Sequence, residues 1–468
     1  MLFRVPRSAF RLRDVLVTAW DSQSVAAALG VSAPPGLHFT GVTTDTRQLT
    51  PGTLFVALKG DRFDAHDFLA DAKGKGAAAA VVRRGTTRVD GLPVFEVADT
   101  LVALGLLARA RRRRLPHGNP VVAITGSSGK TSTKEMIRAV LATRYRTHAT
   151  SGNLNNLVGV PLTILAAPDD TEALVVEAGA SVPGEIARLR DVIEPTIAAI
   201  TNVGYAHVEG FGSLEGVLRE KLALVDGVAV AVVGTHPPEL AREARRRTRT
   251  VVAGTGSEAD VRPEAADLDD AGHPRITWGG GHAVTVPVLG FHQIENVLLA
   301  LAVGREAGVD PGRAVAALAG VKIPGGRGTA LERGRLTILD DTYNANPASL
   351  AWAVRFAHWL AGRRGRPLAV VVGSMLELGE ESGRLHAAAA REIAALEPAL
   401  IGAVGAFVPA FAPLSSALGA RLVTAPDAAG LGPKLATALK GDEIVLLKAS
   451  RGVALERVLP FLTGRPRD

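Results

Sequence analysis

The residues with the clearest chemistry form the glycine-rich run Thr125-Gly126-Ser127-Ser128-Gly129-Lys130-Thr131. A β-rich apolar segment precedes this run, and a segment with apolar residues at helical spacing follows it. This order suits phosphate binding, because glycines let backbone N–H groups turn inward and a helix N-terminus favours negative charge. Lys130 would reach the terminal phosphates, and the Thr131 hydroxyl would bind Mg²⁺. The run is not a standard Walker A sequence, since Ile124 takes the place of the first glycine, and a Gly/Ser turn with a surface lysine is the alternative.

Polar residues also follow two apolar segments further along the chain. Glu177 ends the run Leu174-Val175-Val176, and His207 comes shortly after the run Ile197-Ala198-Ala199-Ile200. Strand ends beside a phosphate loop are where Mg²⁺ ligands belong, and oxygen ligands with one imidazole suit that metal tolerably. The alternatives are a helix-cap or ion-pair carboxylate for Glu177 and an ordinary structural histidine for His207. Lys221 lies on a helix predicted from residue 213 to about 225, and its position alone predicts an exposed lysine.

The elements that must position these residues form three sections, predicted as 1–115, 116–323 and 324–468. The boundaries lie in a polar, proline-bearing link at 111–120 and in the glycine-rich residues 324–328. The patterns predict an α/β fold throughout. A smaller α/β N-terminal domain precedes a central P-loop-type domain with a mostly parallel sheet, and a C-terminal Rossmann-like domain follows.

Several finer elements are predicted as well. Residues 253–288 indicate an antiparallel or edge region, and a helix is expected from about 293 to 307. In the third section Asn346 should cap a helix that has Pro347 in its first turn. Further parallel strands are predicted at 336–339, 368–372 and 443–447.

Composition limits the partners that the protein can have. At 468 residues the chain is too long for one core, and its 47% hydrophobic and 21% charged residues are ordinary for a globular protein. The absence of cysteine excludes disulfides, thiolate metal sites and a cysteine nucleophile. The net charge of +7 suggests anionic partners, but the basic residues are dispersed and lack interleaved aromatics. Nucleotide substrates are therefore a better explanation than nucleic acid.

Two segments bear on targeting. The N-terminus carries Arg4, Arg7, Arg11 and Arg13 without a continuous apolar core, so we expect a flexible tail over 1–15 rather than a secretory signal. Residues 398–420 are uncharged, but prolines and glycines interrupt them, which favours a buried strand, a loop and a short helix over a membrane span. We expect a soluble, cytoplasmic protein with no integral membrane segment.

Longer motifs accompany the phosphate loop along the chain. They are Thr44-Asp45-Thr46-Arg47, Leu54-Phe55-Val56-Ala57-Leu58-Lys59-Gly60-Asp61-Arg62-Phe63-Asp64-Ala65-His66, Gly152-Asn153-Leu154-Asn155-Asn156, Ala206-His207-Val208-Glu209-Gly210-Phe211-Gly212-Ser213-Leu214 and Asp340-Asp341-Thr342-Tyr343-Asn344-Ala345-Asn346-Pro347. Together with the loop, these motifs resemble those of the Mur ligases, ATP-dependent amide-forming enzymes of peptidoglycan synthesis. Within that family the chain is most similar to the members that add D-alanyl-D-alanine to UDP-N-acetylmuramoyl-tripeptide, and the similarity covers residues 40 to about 457.

The resemblance implies a role for each matching residue. The catalytic residues would be Lys130, Lys221, Glu177, His207 and Arg327. ATP would be bound by Thr125, Gly126, Ser127, Ser128, Gly129, Lys130 and Thr131, with Asn296 on the adenine side and Arg327 and Asp341 at the γ-phosphate and ribose. Mg²⁺ would be held by Thr131 and Glu177, with a second metal at His207 and with Lys221 carbamylated by CO₂. Substrate-binding residues would be Thr46 and Arg47 at the uridine end, Asn153 and Asn156, and Asn344 and Asn346 at the dipeptide.

Carbamylation has a clear physical sense at such a site. It converts a +1 ammonium into a −1 oxygen donor, which can support a metal that an ammonium would repel. The chain departs from the usual family residues at four positions: Ala178, Ala223, Ser374 and Ala449. At Ala223 the family usually has glutamate, so that carboxylate is missing or supplied from elsewhere.

The implied reaction is amide synthesis through an acyl phosphate, with UDP-N-acetylmuramoyl-tripeptide and D-alanyl-D-alanine as substrates and third-section residues closing over bound ATP. The protein is expected to be a monomer. Other enzymes remain possible: a sister amino-acid-adding ligase, for which the expected Asp-Asn-Pro-Arg motif is missing, or a folylpolyglutamate-synthetase-like ligase. A nucleic-acid-stimulated P-loop ATPase would need a concentrated basic stripe, which this chain does not offer. A non-catalytic scaffold would not need the intact set of predicted phosphate and metal ligands. The identity of the tripeptide's third residue stays open.

Overall fold

Alternating strands and helices build two units in the part of the chain that this computed structural model describes, residues 20–60 and 63–463. The first unit comprises residues up to 119 together with 153–172 and 191–194, and the second comprises the rest. The segment predicted to be a flexible tail, with its four arginines, lies outside the described residues.

The first unit is organised on a parallel sheet, whose strands lie in the order Val42–Thr43, Leu54–Val56, Ala79–Arg83 and Val94–Val97. An antiparallel pair, Trp20–Asp21 with His38–Phe39, stands apart from it. The helices of this unit are Ser22–Leu29, Leu69–Gly74, Thr100–Arg112 and Gly159–Leu165, with 3₁₀ turns at Thr46–Gln48 and Ala65–Phe68. The apolar residues of the two middle strands are buried, as expected for a sheet covered on both faces.

The polar link predicted at 111–120 does not begin at Arg111. The helix Thr100–Arg112 includes the first two of its arginines, and Arg111 is only 2% exposed. Its guanidinium donates to the carbonyl oxygen of Ala167 at 2.8 Å and to the Asp169 carboxylate at 3.0 Å. Arg111 is therefore a paired structural residue of the first unit, and the domain boundary near residue 115 stays a prediction.

The second unit contains a six-stranded parallel sheet that carries the phosphate loop. Its strands lie in the order Thr250–Val252, Val230–Val233, Ile197–Ile200, Val121–Thr125, Ala173–Glu177 and Thr147–Ala149. The register places Thr125 opposite Ile200 and Ile124 opposite Glu177. The loop and both predicted polar strand ends therefore meet at the carboxyl edge of one sheet, which confirms the predicted arrangement.

Helices cover this sheet, and a small antiparallel sheet adjoins it. The helices are Lys130–Leu141, Val208–Phe211, Leu214–Leu222, Pro238–Arg245, His292–Glu306 and Pro311–Ala317, together with Glu185–Ile193 up to Arg190, and 3₁₀ turns lie at Ala223–Val225 and Leu318–Gly320. The antiparallel strands are Ala265–Leu268, Pro274–Trp278 and His282–Thr285, which confirms the prediction for residues 253–288. The helix expected from about 293 is also confirmed.

The C-terminal part of the second unit is another six-stranded sheet. Its strands lie in the order Thr329–Arg333, Leu336–Asp341, Ile444–Lys448, Leu368–Val372, Leu400–Val404 and Leu422–Ala425; the first pairs antiparallel and the others parallel. The helices are Pro347–Arg364, Ser382–Ala395, Phe407–Phe411, Ser415–Leu418, Ala428–Ala438 and Leu459–Thr463. The 3₁₀ turns are Gly379–Glu381, Ala412–Leu414, Gly419–Arg421, Arg451–Val453 and Leu455–Val458.

The uncharged segment 398–420 folds as predicted, as a buried strand followed by short helices. Within residues 20–60 and 63–463, no helix has both the length and the apolar character that crossing a membrane requires.

Candidate active site

The phosphate loop joins the strand Val121–Thr125 to the helix Lys130–Leu141, and two of its glycines have a positive φ. Gly126 has a φ of 145°, and a Cβ there would lie 1.9 Å from Thr201 Oγ1. Gly129 has a φ of 80°, and a Cβ there would lie 2.6 Å from Asn296 Oδ1. Both positions therefore require glycine, for conformation and for space.

Residues just after the strand Ile197–Ile200 support the loop. Thr201 Oγ1 donates to the carbonyl oxygen of Ser128 at 2.5 Å. Asn202 accepts from the amide of Ser127 through its carbonyl oxygen and from the amide of Ser128 through Oδ1, each at 3.0 Å. Neither Thr201 nor Asn202 is among the site residues predicted from the sequence, although both are polar residues at the end of an apolar strand. The two contacts of Asn202 engage the amides of Ser127 and Ser128, which had been expected to face phosphate.

Lys130 points back into its own loop. Its Nζ donates to the carbonyl oxygen of Gly126 at 2.7 Å. Burial lowers the pKa of Lys130, Glu177 opposes that shift and Arg327 adds to it. The three charges are therefore near enough to influence one another, as a phosphate site with two cations and one carboxylate would require.

Thr131 and Glu177 meet directly. Thr131 Oγ1 donates to Glu177 Oε2 at 3.0 Å, and the two residues are 8% and 2% exposed. Thr150 holds the strand end, because its hydroxyl accepts from the amide of Glu177 at 2.9 Å. The buried Lys134 in turn donates to the carbonyl oxygen of Thr150 at 2.6 Å.

This pair fits a hard cation such as Mg²⁺. Mg²⁺ takes one or two protein oxygens and completes its shell with water and substrate phosphates. A hydroxyl beside a carboxylate at the end of a phosphate loop supplies such oxygens. Among the residues described, no group of three or more His, Cys, Asp or Glu side chains is placed so that it could hold a metal ion by itself.

The prediction of an exposed Lys221, which was made from its helix alone, is wrong. The helix Leu214–Leu222 begins at Ser213 as predicted, but Lys221 is 1% exposed rather than a surface residue. Burial, and after it the positive charge of Lys130, lower the pKa of Lys221 to about 7, although Glu220 and Glu185 oppose the shift. Its Nζ lies 5.7 Å from the centre of the Phe211 ring. Helical spacing did not reveal this burial, because residues of other elements cover that face.

His207 pairs with Glu377, which is not among the site residues predicted from the sequence. Its Nδ1 contacts the carboxylate of Glu377, and the hydrogen bond from His207 lowers the pKa of that carboxyl. Both residues have positive φ, 57° and 63°, and the amide of Glu209 donates to the carbonyl oxygen of Glu377 at 3.2 Å. The expected metal ligand is therefore held by the C-terminal part of the unit.

Asn346 is engaged at both ends of its amide. Its Oδ1 accepts from the amide of Ser349 at 2.9 Å, which confirms the predicted helix cap. Its Nδ2 donates to the hydroxyl of Ser128 at 2.9 Å, so that the C-terminal part touches the phosphate loop. Asn296 is 4% exposed and lies against Gly129. The dipeptide role of Asn346 and the adenine role of Asn296 stay predictions.

Arg327 and Asp341 both lie near Tyr343, which is in the turn after the strand Leu336–Asp341. The Arg327 guanidinium is 3.5 Å from the centre of the Tyr343 ring. The Asp341 carboxylate accepts from Lys448 Nζ at 2.5 Å. The neighbouring Asn344 is exposed, and its Oδ1 accepts from the amide of Ala345.

The remaining predicted substrate residues belong to the first unit. Thr46 and Arg47 form a 3₁₀ turn capped by Asp45, which also holds the exposed Arg47 guanidinium at 2.6 Å. The side-chain oxygen of Asn156 accepts from the amide of Gly159 at 2.8 Å, and Asn153 is exposed. These contacts leave a uridine or sugar role as a prediction.

Family models match nearly the whole chain. The model described as "Mur ligase family, catalytic domain" matches residues 38–112. "Mur ligase middle domain" matches 124–304, and "Mur ligase, glutamate ligase domain" matches 326–451.

Individual proteins give a consistent result. The chain is 36% identical over 438 residues to the UDP-N-acetylmuramoyl-tripeptide–D-alanyl-D-alanine ligase of Bacillus subtilis, covering 91% of this chain and 93% of that protein. Its structure is similar to a crystal structure of MurF from Acinetobacter baumannii, with a TM-score of 0.86, 30% identity and coverage of 96% and 100%. MurF ligase from Thermotoga maritima in complex with ADP gives a TM-score of 0.79 at 30% identity, with coverage of 91% and 97%.

Proposed function

Because the chain belongs to the Mur ligase family, with the three-domain α/β fold of MurF, we propose that it joins D-alanyl-D-alanine to UDP-N-acetylmuramoyl-tripeptide at the expense of ATP. The observation that carries this proposal is the phosphate loop with its buried Thr131–Glu177 pair, in a chain that aligns with the Bacillus subtilis ligase over nine-tenths of both lengths. The domain limits 1–115, 116–323 and 324–468 and a monomeric state are parts of the same proposal.

ATP binding is assigned to the phosphate loop. Lys130 exchanges the carbonyl oxygen of Gly126 for a phosphate oxygen, and Arg327 adds a second positive charge as the phosphoryl group is transferred. Asp341 meets the ribose, and Asn296 supports the loop on the adenine side. Thr131 and Glu177 would hold Mg²⁺, which would neutralise phosphate charge.

The reaction needs no nucleophile from the enzyme. The terminal carboxylate of the tripeptide attacks the γ-phosphorus of ATP, the bond to the bridging oxygen breaks, and ADP leaves. The free amine of the dipeptide then attacks the acyl phosphate and loses a proton, and inorganic phosphate departs from the tetrahedral intermediate. The protein contributes position and charge balance, which account for most of the acceleration in phosphoryl transfer.

Lys221 is assigned as a carbamylated lysine, and His207 as a residue of a second metal site. The argument for Lys221 is chemical: only the neutral amine attacks CO₂, and a pKa of about 7 keeps much of the amine neutral near pH 7. Carbamylation would also relieve the repulsion between Lys221 and Lys130. A metal would bind Nε2 of His207, because Nδ1 contacts the carboxylate of Glu377.

The predicted substrate-binding residues are divided between the two substrates. Thr46, Arg47, Asn153 and Asn156 are assigned to the UDP-linked substrate, and Asn344 and Asn346 to the dipeptide. Arg47 can reach a substrate with little rearrangement, because its guanidinium is exposed and only its partner Asp45 has to share it.

The direct test is phosphate release from ATP and Mg²⁺ with UDP-N-acetylmuramoyl-tripeptide, with and without D-alanyl-D-alanine, followed by mass analysis. Release that needs both substrates, together with a UDP-pentapeptide mass, is the expected result. Release that ignores the dipeptide and responds to a single amino acid would transfer the chain to a sister ligase. Stimulation by nucleic acid alone would overturn the proposal. Glu177→Gln is the matched inactive variant, because it keeps the side-chain shape and removes the charge.

A further inference from the structure

The strand Ile444–Lys448 ends on a lysine that none of the roles above uses. Lys448 is 2% exposed. A buried ammonium is costly unless it is paired and hydrogen bonded, so the partners of Lys448 indicate what it does.

The two partners of Lys448 are Asp341, at the end of a strand, and Asn344, in the turn that follows this strand. Lys448 Nζ donates to Asp341 Oδ2 at 2.5 Å and to the carbonyl oxygen of Asn344 at 3.0 Å. The register places Lys448 directly opposite Asp341 in the parallel sheet. The ammonium therefore connects the end of the strand Leu336–Asp341 to the turn that leads to Asn346.

The residue two positions later fastens the same turn. Ser450 Oγ donates to the carbonyl oxygen of Ala345 at 3.1 Å and accepts from the amide of Leu376 at 2.9 Å. Ala449, between them, is completely buried and faces Gly373, which has no side chain to obstruct its methyl group. Residues 448–450 thus hold both the 341–346 turn and the loop that carries Glu377.

We propose that Lys448 is a positioning residue for nucleotide binding, which holds the Asp341 carboxylate and the 341–346 turn in the orientation that meets ATP. This inference rests on the proposed ATP-dependent function. Lys448 does not touch the substrate itself; it acts through Asp341. The competing explanation is that Lys448 only stabilises the C-terminal sheet.

A double-mutant cycle separates these explanations. The variants are Lys448→Met, Asp341→Asn and the two together, and the measurements are ATP affinity by calorimetry and the KM for each substrate. We expect each single substitution to weaken ATP binding about tenfold, as for the loss of one charge-assisted hydrogen bond. We expect the double variant to be no weaker than Lys448→Met alone, because both substitutions remove the same interaction. The KM for the UDP-linked substrate should stay within about twofold of its original value.

Thermal unfolding of the same variants provides the control for folding. Lys448→Met leaves a carboxylate without its cation and should lower the Tm, and adding Asp341→Asn should restore part of the loss. Lys434→Met is the matched control, since Lys434 is an exposed lysine of the same sheet region that donates to the carbonyl oxygen of Thr424. It should change neither Tm nor ATP affinity.

Two outcomes would overturn the proposal. One is a lower Tm for Lys448→Met with unchanged ATP affinity, and the other is additive loss of affinity in the double variant. If the unmodified protein binds ATP but forms no UDP-pentapeptide, the ligase assignment fails, while the role of Lys448 is still judged from ATP affinity.

Discussion

At the scale of single residues, burial decides which lysines can take part in chemistry. Lys221 and Lys448 are both almost inaccessible, but their surroundings differ. Lys448 has a carboxylate partner at 2.5 Å, whereas Lys221 experiences the positive charge of Lys130 and a pKa lowered to about 7. The first arrangement stabilises an ammonium, and the second favours a neutral amine that can react.

The lowered pKa of Lys221 gives a pH prediction. The pKa is depressed, so the neutral amine is present above about pH 7 and is lost as the pH falls below it. With ¹³C-bicarbonate, the carbamate signal in the NMR spectrum should therefore grow between about pH 6 and pH 8. Lys221→Met should remove the signal and most of the activity. A signal that is equally strong at pH 6, or that persists in the variant, would contradict the assignment.

At the scale of elements, the phosphate loop is built by more than its own seven residues. The carboxyl end of the neighbouring strand supplies Thr201 and Asn202, and the helix His292–Glu306 brings Asn296 against Gly129. Asn346, at the N-terminus of the helix Pro347–Arg364, binds Ser128 from the other side. The loop is therefore held by three other elements before any phosphate arrives.

Gly129→Ala tests the space behind the loop. The new methyl group would meet Asn296 Oδ1 at 2.6 Å and would also need a positive φ. We expect a loss of about 1–3 kcal/mol in stability, from strain and crowding together, and at least tenfold weaker ATP binding in calorimetry. Gly334→Ala is the matched control, because its φ is also positive at 57° but nothing lies within 4 Å. An equal effect of both substitutions on ATP affinity would show that contact with Asn296 is irrelevant.

Asn346 permits its two contacts to be separated. Asn346→Asp keeps the oxygen that caps the helix but loses the Nδ2 that reaches Ser128. Asn346→Ala loses both, so only the alanine variant should lose the cap contribution of about 1 kcal/mol in urea unfolding. Both variants should bind ATP more weakly than the unmodified protein. Unimpaired ATP binding by Asn346→Asp would show that the Ser128 contact has no part in nucleotide binding.

At the scale of the second unit as a whole, contacts near the loop join its central part to its C-terminal part. Among them are His207 with Glu377 and Asn346 with Ser128. Each uses a residue next to expected substrate positions, so nucleotide binding and the approach of the two sheets should depend on each other.

This coupling can be measured by fluorescence transfer, because the chain has no cysteine of its own. Dyes on Glu258→Cys and Thr437→Cys would report the distance between the two sheets. In a Glu377→Ala background we expect a longer mean distance without nucleotide and recovery of the shorter distance with an ATP analogue. A distance unaffected by both the substitution and the nucleotide would exclude this coupling.

How far the sequence determines this protein depends on the range of the interactions. The periodicity and the turn residues predicted the phosphate loop, the parallel strands, the antiparallel region and the cap at Asn346, because short-range backbone preferences set these features. Motif resemblance pointed to the Mur ligases before any geometry was known. Only the tertiary structure revealed the burial of Lys221, the pairing of Arg111 with Asp169, the contact of His207 with Glu377 and the fastening of Asp341 by Lys448. Each of these depends on which distant segments pack together, and side-chain spacing within one helix or strand carries no information about that.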